Sequence, residues 1–252
     1  MLLAVDVGNT NIVLGIYKGQ DLQRVLRAAT ESLKTATEYS MLFRELIPDW
    51  RQVKGVSISS VVPPINPTLR EVCKECFKLD PFMVSCEADL GIALRVDFPG
   101  QIGADRLVNA ASAYSLYGGP VIVLDLGTAT TCCAVSASGD FLGGVILPGI
   151  GISMEALFRS ASKLPRVELA RPPRVIGTNT VVSLQSGIYY GYVGMVDGLV
   201  GRFRQEAGMD AHVVATGGYS PIIAQDSEYI KEINPDLTLQ GLRMLYLRNR
   251  PE

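Results

Sequence analysis

Histidine and tryptophan are almost missing from this chain, which has one of each among its 252 residues. A histidine-based mechanism would therefore depend on His212 alone, and the strand-like pattern around it favours a packed or surface side chain. The five cysteines are an odd set and do not form a disulfide framework. Cys73 and Cys76 have C-x-x-C spacing, but zinc would need a second pair of ligands, so we favour two ordinary thiols on a helix.

Long hydrophobic runs and an excess of positive charge are also absent. No segment approaches the roughly 20 apolar residues that cross a bilayer, and Met1–Val5 is too short for a signal peptide. The net charge of −2 gives no general attraction to nucleic acid. We therefore expect a cytoplasmic protein that binds neither a membrane nor nucleic acid. Its 48% hydrophobic residues are ample for a core.

A faint internal repeat organises the chain. Asp6 and Asp125 are 119 residues apart, and the same separation joins Gly8 to Gly127 and Asp21 to Asp140. Each copy predicts a β-hairpin whose turn carries polar residues. Two copies indicate two similar halves, which we place at residues 1–118 and 119–252, divided at a Gly-Gly-Pro turn.

Strands and helices alternate within each half, which predicts the α/β class. In the first half the pattern predicts a strand at Val56–Val61 and three helices, around Thr37–Ile47, Pro67–Phe77 and Gly103–Tyr117. In the second half it predicts a strand at His212–Ala215 and four helices, near Ile152–Arg159, Val181–Glu206 and Ser220–Gln225 and at the end of the chain before Leu247.

The two repeated turns have the chemistry of phosphate-binding loops. In Asp6–Thr10, glycine lets backbone N–H groups approach phosphate oxygens, and Thr10 or Asn11 adds a side-chain donor. The Asp6 carboxylate could hold a hydrated Mg²⁺. One such turn is ordinary hairpin chemistry, but its repetition at Asp125–Thr128 favours a function. Two such loops facing across a cleft resemble those of the superfamily of actin, sugar kinases and heat-shock ATPases.

Two further motifs extend this interpretation. Thr216-Gly217-Gly218 ends a predicted strand and resembles the adenosine loop of that superfamily. Gly103-Ala104-Asp105-Arg106 opens a predicted helix, where the helix dipole favours an anion and would keep Asp105 ionised. An ionised carboxylate can accept a proton from a hydroxyl, and Arg106 offers a planar fork for a carboxylate or phosphate. Without a resemblance to a known family, the better explanation of this motif is that Asp105 caps the helix and Arg106 is a surface charge.

Taken in order, the motifs resemble type III pantothenate kinases. They run over essentially the whole chain, as D-V-G-N-T-N, P-x-x-I-G-A-D-R-L-x-N-A, L-D-L-G-T-A-T-T, G-G-x-I-L-P-G, G-x-N-T-x-x-S-L-Q-S-G-I and A-T-G-G. G-A-D-R together with N-T-x-x-S-x-Q-S-G is the most specific part. The resemblance implies two halves of actin-like (ribonuclease H-like) topology around a nucleotide cleft. It also implies ATP-dependent phosphorylation of pantothenate, the first step of coenzyme A biosynthesis.

The resemblance also implies roles for individual residues. Asp105 would be the catalytic base, Asp125 would bind K⁺ or NH₄⁺, and Asp6 would hold Mg²⁺ through water. The pantothenate site would consist of Gly103, Ala104, Asp105, Arg106 and Thr180. ATP would be bound by Thr128 and by the first loop, that is by Asp6, Val7, Gly8, Asn9, Thr10, Asn11, Ile12 and Val13. The family often has an aromatic residue at the position of Val96, and here Phe98 is close by but out of register.

A glycine stripe runs along the long predicted helix. Gly187, Gly191, Gly194, Gly198 and Gly201 fall within about 80° of one another on an α-helix. Each costs roughly 1 kcal/mol of helix stability relative to alanine, so close packing against another backbone is expected. Spacing alone leaves open whether that backbone belongs to the same chain or to a second one. The resemblance to a dimeric family favours a homodimer.

Other functions remain open at this point. A sugar or acetate kinase of the same superfamily would usually be longer and lacks G-A-D-R. A chaperone-type ATPase would have a peptide-binding domain after its nucleotide core. A non-catalytic regulator on this fold is not indicated, because Asp6, Asp105 and Asp125 are all present.

Overall fold

A computed structural model describes residues 1–250 as two compact units. The first consists of Met1–Ile92, Asp97–Ser112 and the chain from Asp236 onward, and the second of Ala93–Val96 and Ala113–Pro235. This division differs from the halves predicted at 1–118 and 119–252. The last helix, α7 (Leu237–Asn249), packs against strands of the first unit and therefore belongs to it.

The first unit is built on a five-stranded sheet in the order β3-β2-β1-β4-β5. β1 and β2 form an antiparallel hairpin that β3 extends, whereas β4 lies parallel to β1. One face of the sheet carries the apolar core under α1 and α2, and α7 packs against β1 and β4. The elements are β1 (Leu2–Val7), β2 (Asn11–Lys18), β3 (Asp21–Ala29), α1 (Ala36–Leu46), β4 (Gly55–Ser60), α2 (Asn66–Val72), β5 (Phe82–Met83) and the start of α3 (Ala104–Tyr117).

The second unit has a six-stranded sheet in the order β11-β10-β7-β8-β9-β6. β7, β8 and β9 are antiparallel neighbours, and β10 lies parallel to β7. The long helix α5 packs against this sheet with Tyr189, Val196 and Val200 in the core. The elements are β6 (Ala93–Leu94), β7 (Val121–Leu126), β8 (Ala129–Val135), β9 (Asp140–Pro148), α4 (Ile150–Ser160), α5 (Thr180–Ala207), β10 (His212–Thr216), α6 (Ser220–Ile223) and β11 (Glu232–Ile233).

The internal repeat is present in the structure and is longer than the predicted hairpin. β1 and β7 correspond residue for residue at the separation of 119, and so do β3 and β9. In both units the middle strand pairs with its two neighbours antiparallel. The repeated unit is therefore a three-stranded meander, and the predicted α/β class with two similar halves is confirmed.

Most predicted elements are found with ends shifted by at most two residues. The helix predicted at Pro67–Phe77 is α-helical to Val72 and then continues as a π-helical turn, Cys73–Phe77. The helix predicted at Ser220–Gln225 ends at Ile223, and the terminal helix runs on to Asn249. Both thiols of the C-x-x-C are buried, and burial raises the pKa of Cys73 to about 12, so it is an unreactive thiol.

The glycine stripe lies on the exposed side of α5. Within residues 1–250, no atom would lie within 4 Å of a Cβ added at Gly187, Gly191, Gly194 or Gly198. Close packing of these four glycines within the chain is therefore not found. Only at Gly201 would an added Cβ meet a neighbour, the Tyr229 hydroxyl at 3.7 Å. None of the helices in the described part of the chain combines the length and hydrophobicity that a membrane span requires.

Candidate functional site

The first candidate loop joins β1 to β2 and is held from one side by Thr30. The Gly8 N–H donates to the Asn11 carbonyl at 3.0 Å, which closes the turn. Thr30, just after β3, donates its hydroxyl to the Gly8 carbonyl at 2.7 Å and its N–H to the Thr10 carbonyl at 3.0 Å. Asn9, Thr10 and Asn11 are exposed. The loop is therefore fixed in place while its polar groups face outward, as phosphate binding requires.

Asp6 lies at the carboxyl end of β1, beside the end of β4. The pairing of these parallel strands continues past β4, because the Val61 N–H donates to the Val7 carbonyl at 3.1 Å. Asp6 is half-buried, and its register partner in β2 is Val13. Polar groups at the carboxyl ends of parallel strands are where ligands bind in α/β sheets.

Asp105 reaches the same end of the sheet from the first turn of α3. A Cβ at Gly103 would lie 2.5 Å from Asp105 Oδ1 and 3.3 Å from Val61 Cγ1. The missing side chain at Gly103 therefore leaves the space in which the Asp105 carboxylate lies beside Val61. The Arg106 N–H donates to the same oxygen at 2.7 Å and fixes its orientation.

Burial decides the electrostatics of Asp105. It raises the pKa of this carboxyl above its usual value, and the Arg106 N–H and positive charge offset that only in part. The backbone N–H groups at the helix start favour the ionised carboxylate, but desolvation is the larger influence on its pKa. A carboxylate with a raised pKa binds a proton more strongly, which suits a general base.

In the second unit, the carboxylate of Asp125 is enclosed by two glycines. A Cβ added at Gly127 would lie 3.1 Å from Asp125 Oδ1, and one added at Gly217 would lie 2.7 Å from the same atom. Gly217 has a φ of +87°, and its added Cβ would also lie 2.5 Å from the Leu126 carbonyl carbon. The predicted Thr-Gly-Gly turn after β10 therefore packs directly on the predicted second phosphate loop.

The other side of this loop is covered by the start of α4. A Cβ at Gly149 would collide with the Thr128 carbonyl oxygen and lie 2.6 Å from that of Gly127. The Thr128 side chain remains exposed. The G-G-x-I-L-P-G motif thus has a structural role at its last glycine, which lets α4 begin against the loop and leaves the hydroxyl of Thr128 outward.

Thr180 is the first residue of α5 and is exposed. Asn179 caps this helix by accepting the Val182 N–H at 3.0 Å. Gly177 lies against the first turn, where a Cβ would be 2.5 Å from the Ser183 nitrogen. The G-T-N-T segment is therefore a compact cap that presents Thr180 at a helix N-terminus.

Asp6 and Asp125 suit metal ions that take most of their ligands from water or from the substrate rather than from the protein. No three or more His, Cys, Asp or Glu side chains in residues 1–250 are grouped to hold a metal ion. Asp6 and Asp125 each offer a single predicted carboxylate. This donor set suits Mg²⁺, which retains waters and binds nucleotide phosphates beside one or two carboxylates.

The structure thus groups the predicted residues into two sets. The first unit brings together the Asp6–Val13 loop and Gly103–Arg106, and the second unit holds Asp125, Thr128 and Thr180. The motifs did not indicate Thr30 as a support of the first loop, nor did they indicate two buried serines of β4. Neither feature has a local sequence signal, because each depends on strand pairing.

Comparison with known proteins decides the family. The family model described as type III pantothenate kinase matches residues 2–202. The chain belongs to the type III pantothenate kinase family. A type III pantothenate kinase of Roseiflexus castenholzii is 48% identical over 99% of this chain and 100% of its own length. One from Anaeromyxobacter sp. is 50% identical with the same coverage.

Solved structures of other proteins share the fold of this chain at low sequence identity. An ethanolamine utilization protein from Carboxydothermus hydrogenoformans matches with a TM-score of 0.57 at 13% identity, covering 96% of this chain and 89% of that one. Component A of the (R)-2-hydroxyglutaryl-CoA dehydratase of Acidaminococcus fermentans matches with a TM-score of 0.55 at 14% identity, covering 97% and 96%. At these identities the likeness concerns the fold alone. Membership of a kinase family makes this chain an enzyme whose ATP-dependent reaction needs a divalent metal.

Proposed function

We propose that this enzyme transfers the γ-phosphoryl group of ATP to the primary hydroxyl of pantothenate, which yields 4′-phosphopantothenate for coenzyme A biosynthesis. This proposal rests on sequence similarity: the chain is 48% and 50% identical to two type III pantothenate kinases over their whole length. The G-A-D-R segment supports it, because Gly103 makes room for the Asp105 carboxylate at the end of β4.

Asp105 is the proposed catalytic base. Its carboxylate takes the proton of the pantothenate hydroxyl while that oxygen bonds to the γ-phosphorus and ADP leaves. The raised pKa of Asp105 favours this transfer. Gly103, Ala104 and Thr180 are proposed to line the pantothenate site. Arg106, with its planar fork, is the proposed partner of the substrate carboxylate.

The nucleotide is assigned to the loop Asp6–Val13 and to Thr128. The exposed groups of the first loop are proposed to bind phosphate oxygens, and the Thr128 hydroxyl adds one donor. Mg²⁺, held by Asp6 through water, would neutralise the charge of the phosphates. Asp125, enclosed by Gly127 and Gly217, is proposed to hold K⁺ or NH₄⁺ as a second, monovalent cofactor.

A homodimer is the proposed assembly. Four stripe glycines of α5 face open space, although each costs helix stability. Large apolar side chains are also exposed on the neighbouring segments of the same unit, among them Ile152, Val175 and Ile176. A second chain packed against α5 would occupy the open space at these glycines. None of the five cysteines forms a disulfide within residues 1–250, which agrees with the reducing cytoplasm that we propose as the location.

The direct test is mass-spectrometric detection of phosphopantothenate from pantothenate, ATP, Mg²⁺ and K⁺. We expect phosphoryl transfer to pantothenate, and none to glucose or acetate when either is offered as the acceptor. Turnover of glucose or acetate in place of pantothenate would instead identify another small-molecule kinase. Nucleotide binding without turnover of any acceptor would favour a regulator on this fold.

A further inference from the structure

One face of the first sheet is made of small residues and packs closely against α7. A Cβ at Gly15 would lie 3.0 Å from Leu239 Cδ1, and one at Gly55 would lie 2.6 Å from Tyr246 Cζ. Side chains alternate along a strand, so Ser57 and Ser59 of β4 share this face with Gly55. Val56 and Ile58 belong to the apolar core on the opposite face.

Ser57 and Ser59 are the unusual members of this face. Both are completely buried, and neither hydroxyl has a hydrogen-bond partner within residues 1–250. Buried polar groups nearly always have a partner, and an unsatisfied one invites an explanation such as a water or an ion. Size alone would be met by alanine or glycine, which this face uses elsewhere, so the hydroxyls point to a further role for at least one serine.

Strand register separates the two serines. Ser59 lies opposite Asp6 of β1, whereas Ser57 lies opposite Ala4. Neighbouring strands are about 4.8 Å apart, and in-register side chains of parallel strands lie on the same face. Register therefore places the Ser59 and Asp6 side chains next to each other on this face. Ser57 lies between Ala4 of β1 and Phe82 of β5, and neither has a polar side chain.

We propose that Ser59 is a positioning residue for the Mg²⁺–nucleotide site. Its hydroxyl donates a hydrogen bond to the Asp6 carboxylate when the hydrated ion is bound, so that Ser59 orients Asp6 toward the metal. This inference rests on the proposed function only as far as nucleotide binding by Asp6, and it does not depend on the acceptor. It also gives the buried hydroxyl of Ser59 a partner when Mg²⁺ is bound.

The matched pair Ser59→Ala and Ser57→Ala tests the proposal. Both remove an unpartnered hydroxyl from the same strand and face, so both should keep or raise the melting temperature of the ligand-free protein. Calorimetric titration with Mg²⁺ and a non-hydrolysable ATP analogue, without pantothenate, should show binding weakened about tenfold in Ser59→Ala. Ser57→Ala should bind within about twofold of wild type.

Equal affinities of the two variants would overturn the role of Ser59. In turnover, Ser59→Ala should raise the KM for Mg²⁺–ATP more than it lowers kcat, and a fall in kcat alone would likewise contradict the proposal. Failure of the proposed function is distinguishable. In that case the wild type would bind the analogue, Ser59→Ala would still weaken that binding, and no acceptor assay would give phosphopantothenate.

Discussion

The two repeats have the same three strands but differ in the loops that carry chemistry. In the first, three residues join β1 to β2, and Thr30 holds the loop from outside. In the second, two residues join β7 to β8. Gly149 packs against these two residues, and Gly217 packs against Asp125 and Leu126 just before them. The first loop is supported from one side and exposed, whereas the second is enclosed.

This difference indicates a division of work between duplicated units. The first unit holds the carboxylates proposed to meet reacting groups, Asp6 and Asp105. The second unit holds Asp125 in a setting that leaves no room for a side chain at its neighbours. Changes in the first unit should therefore remove chemistry, and changes in the second should act through geometry.

The largest effect is expected from Asp105→Asn. The substitution keeps the shape and removes the base, so kcat should fall by about 10²–10⁴-fold. A loose phosphoryl-transfer transition state needs little help from a base, which places the loss near the lower bound. Nucleotide affinity, measured with an ATP analogue, is the control and should not change. A folded variant that turns over within threefold of wild type would contradict the assignment.

The pH dependence of the same pair of proteins gives a second measurement. Because burial raises the pKa of Asp105, kcat of the wild type should fall with acid at a pH above the usual aspartate pKa of about 3.9. A raised folded-state pKa also means that stability is lost as pH rises through it. Relative to wild type, Asp105→Asn should therefore melt at a higher temperature above that pH, and an opposite trend would refute the burial effect.

The next largest effect should come from Gly217→Ala in the second unit. A side chain at a φ of +87° costs about 1–3 kcal/mol, and the new Cβ would press on Leu126 and Asp125. Small misplacements of a reacting group cost up to about 10²-fold in rate, so we expect a loss of that order. Gly218→Ala is the matched control, because its Cβ would meet nothing within 4 Å. Equal activity of the two variants would show that the second loop tolerates displacement.

Local patterns in the sequence were enough to predict the elements, but not which of them pack together. The 119-residue separation predicted corresponding strands because hairpin patterns are local. The placement of α7 could not be predicted, since its apolar face fits either sheet and only long-range packing decides. For the same reason, Asp105 could be placed at a helix start, but its burial beside Val61 could not be foreseen. Motif residues were therefore identifiable, whereas supports such as Thr30 and Ser59 were not.

A smaller effect is expected from exchanging the monovalent cation. If Asp125 holds K⁺ or NH₄⁺, replacing these ions by Na⁺ should lower the rate about tenfold, which corresponds to about 1.4 kcal/mol. Asp125→Asn should remove the difference between the salts, and Asp6→Asn serves as the contrast, because it should weaken Mg²⁺–nucleotide binding and retain the preference for K⁺. Equal wild-type rates in K⁺, NH₄⁺ and Na⁺ would exclude this role and leave Asp125 with a structural role alone.

The smallest effect concerns the glycine stripe on α5, where four glycines face open space. If that surface faced water, Gly191→Ala and Gly194→Ala would each stabilise the helix by about 1 kcal/mol. If a second chain packs closely on it, the added methyl groups must separate the subunits. We expect sedimentation velocity at micromolar concentration to show a wild-type dimer and a shift of the double variant toward monomer, without a rise in melting temperature. Gly201→Ala is the control, since its Cβ would make only an ordinary contact with Tyr229 of the same unit, and it should stabilise the helix without changing assembly. A wild-type monomer would refute the dimer. The stripe glycines would then lower the stability of an exposed helix, and their replacement by alanine should raise the melting temperature.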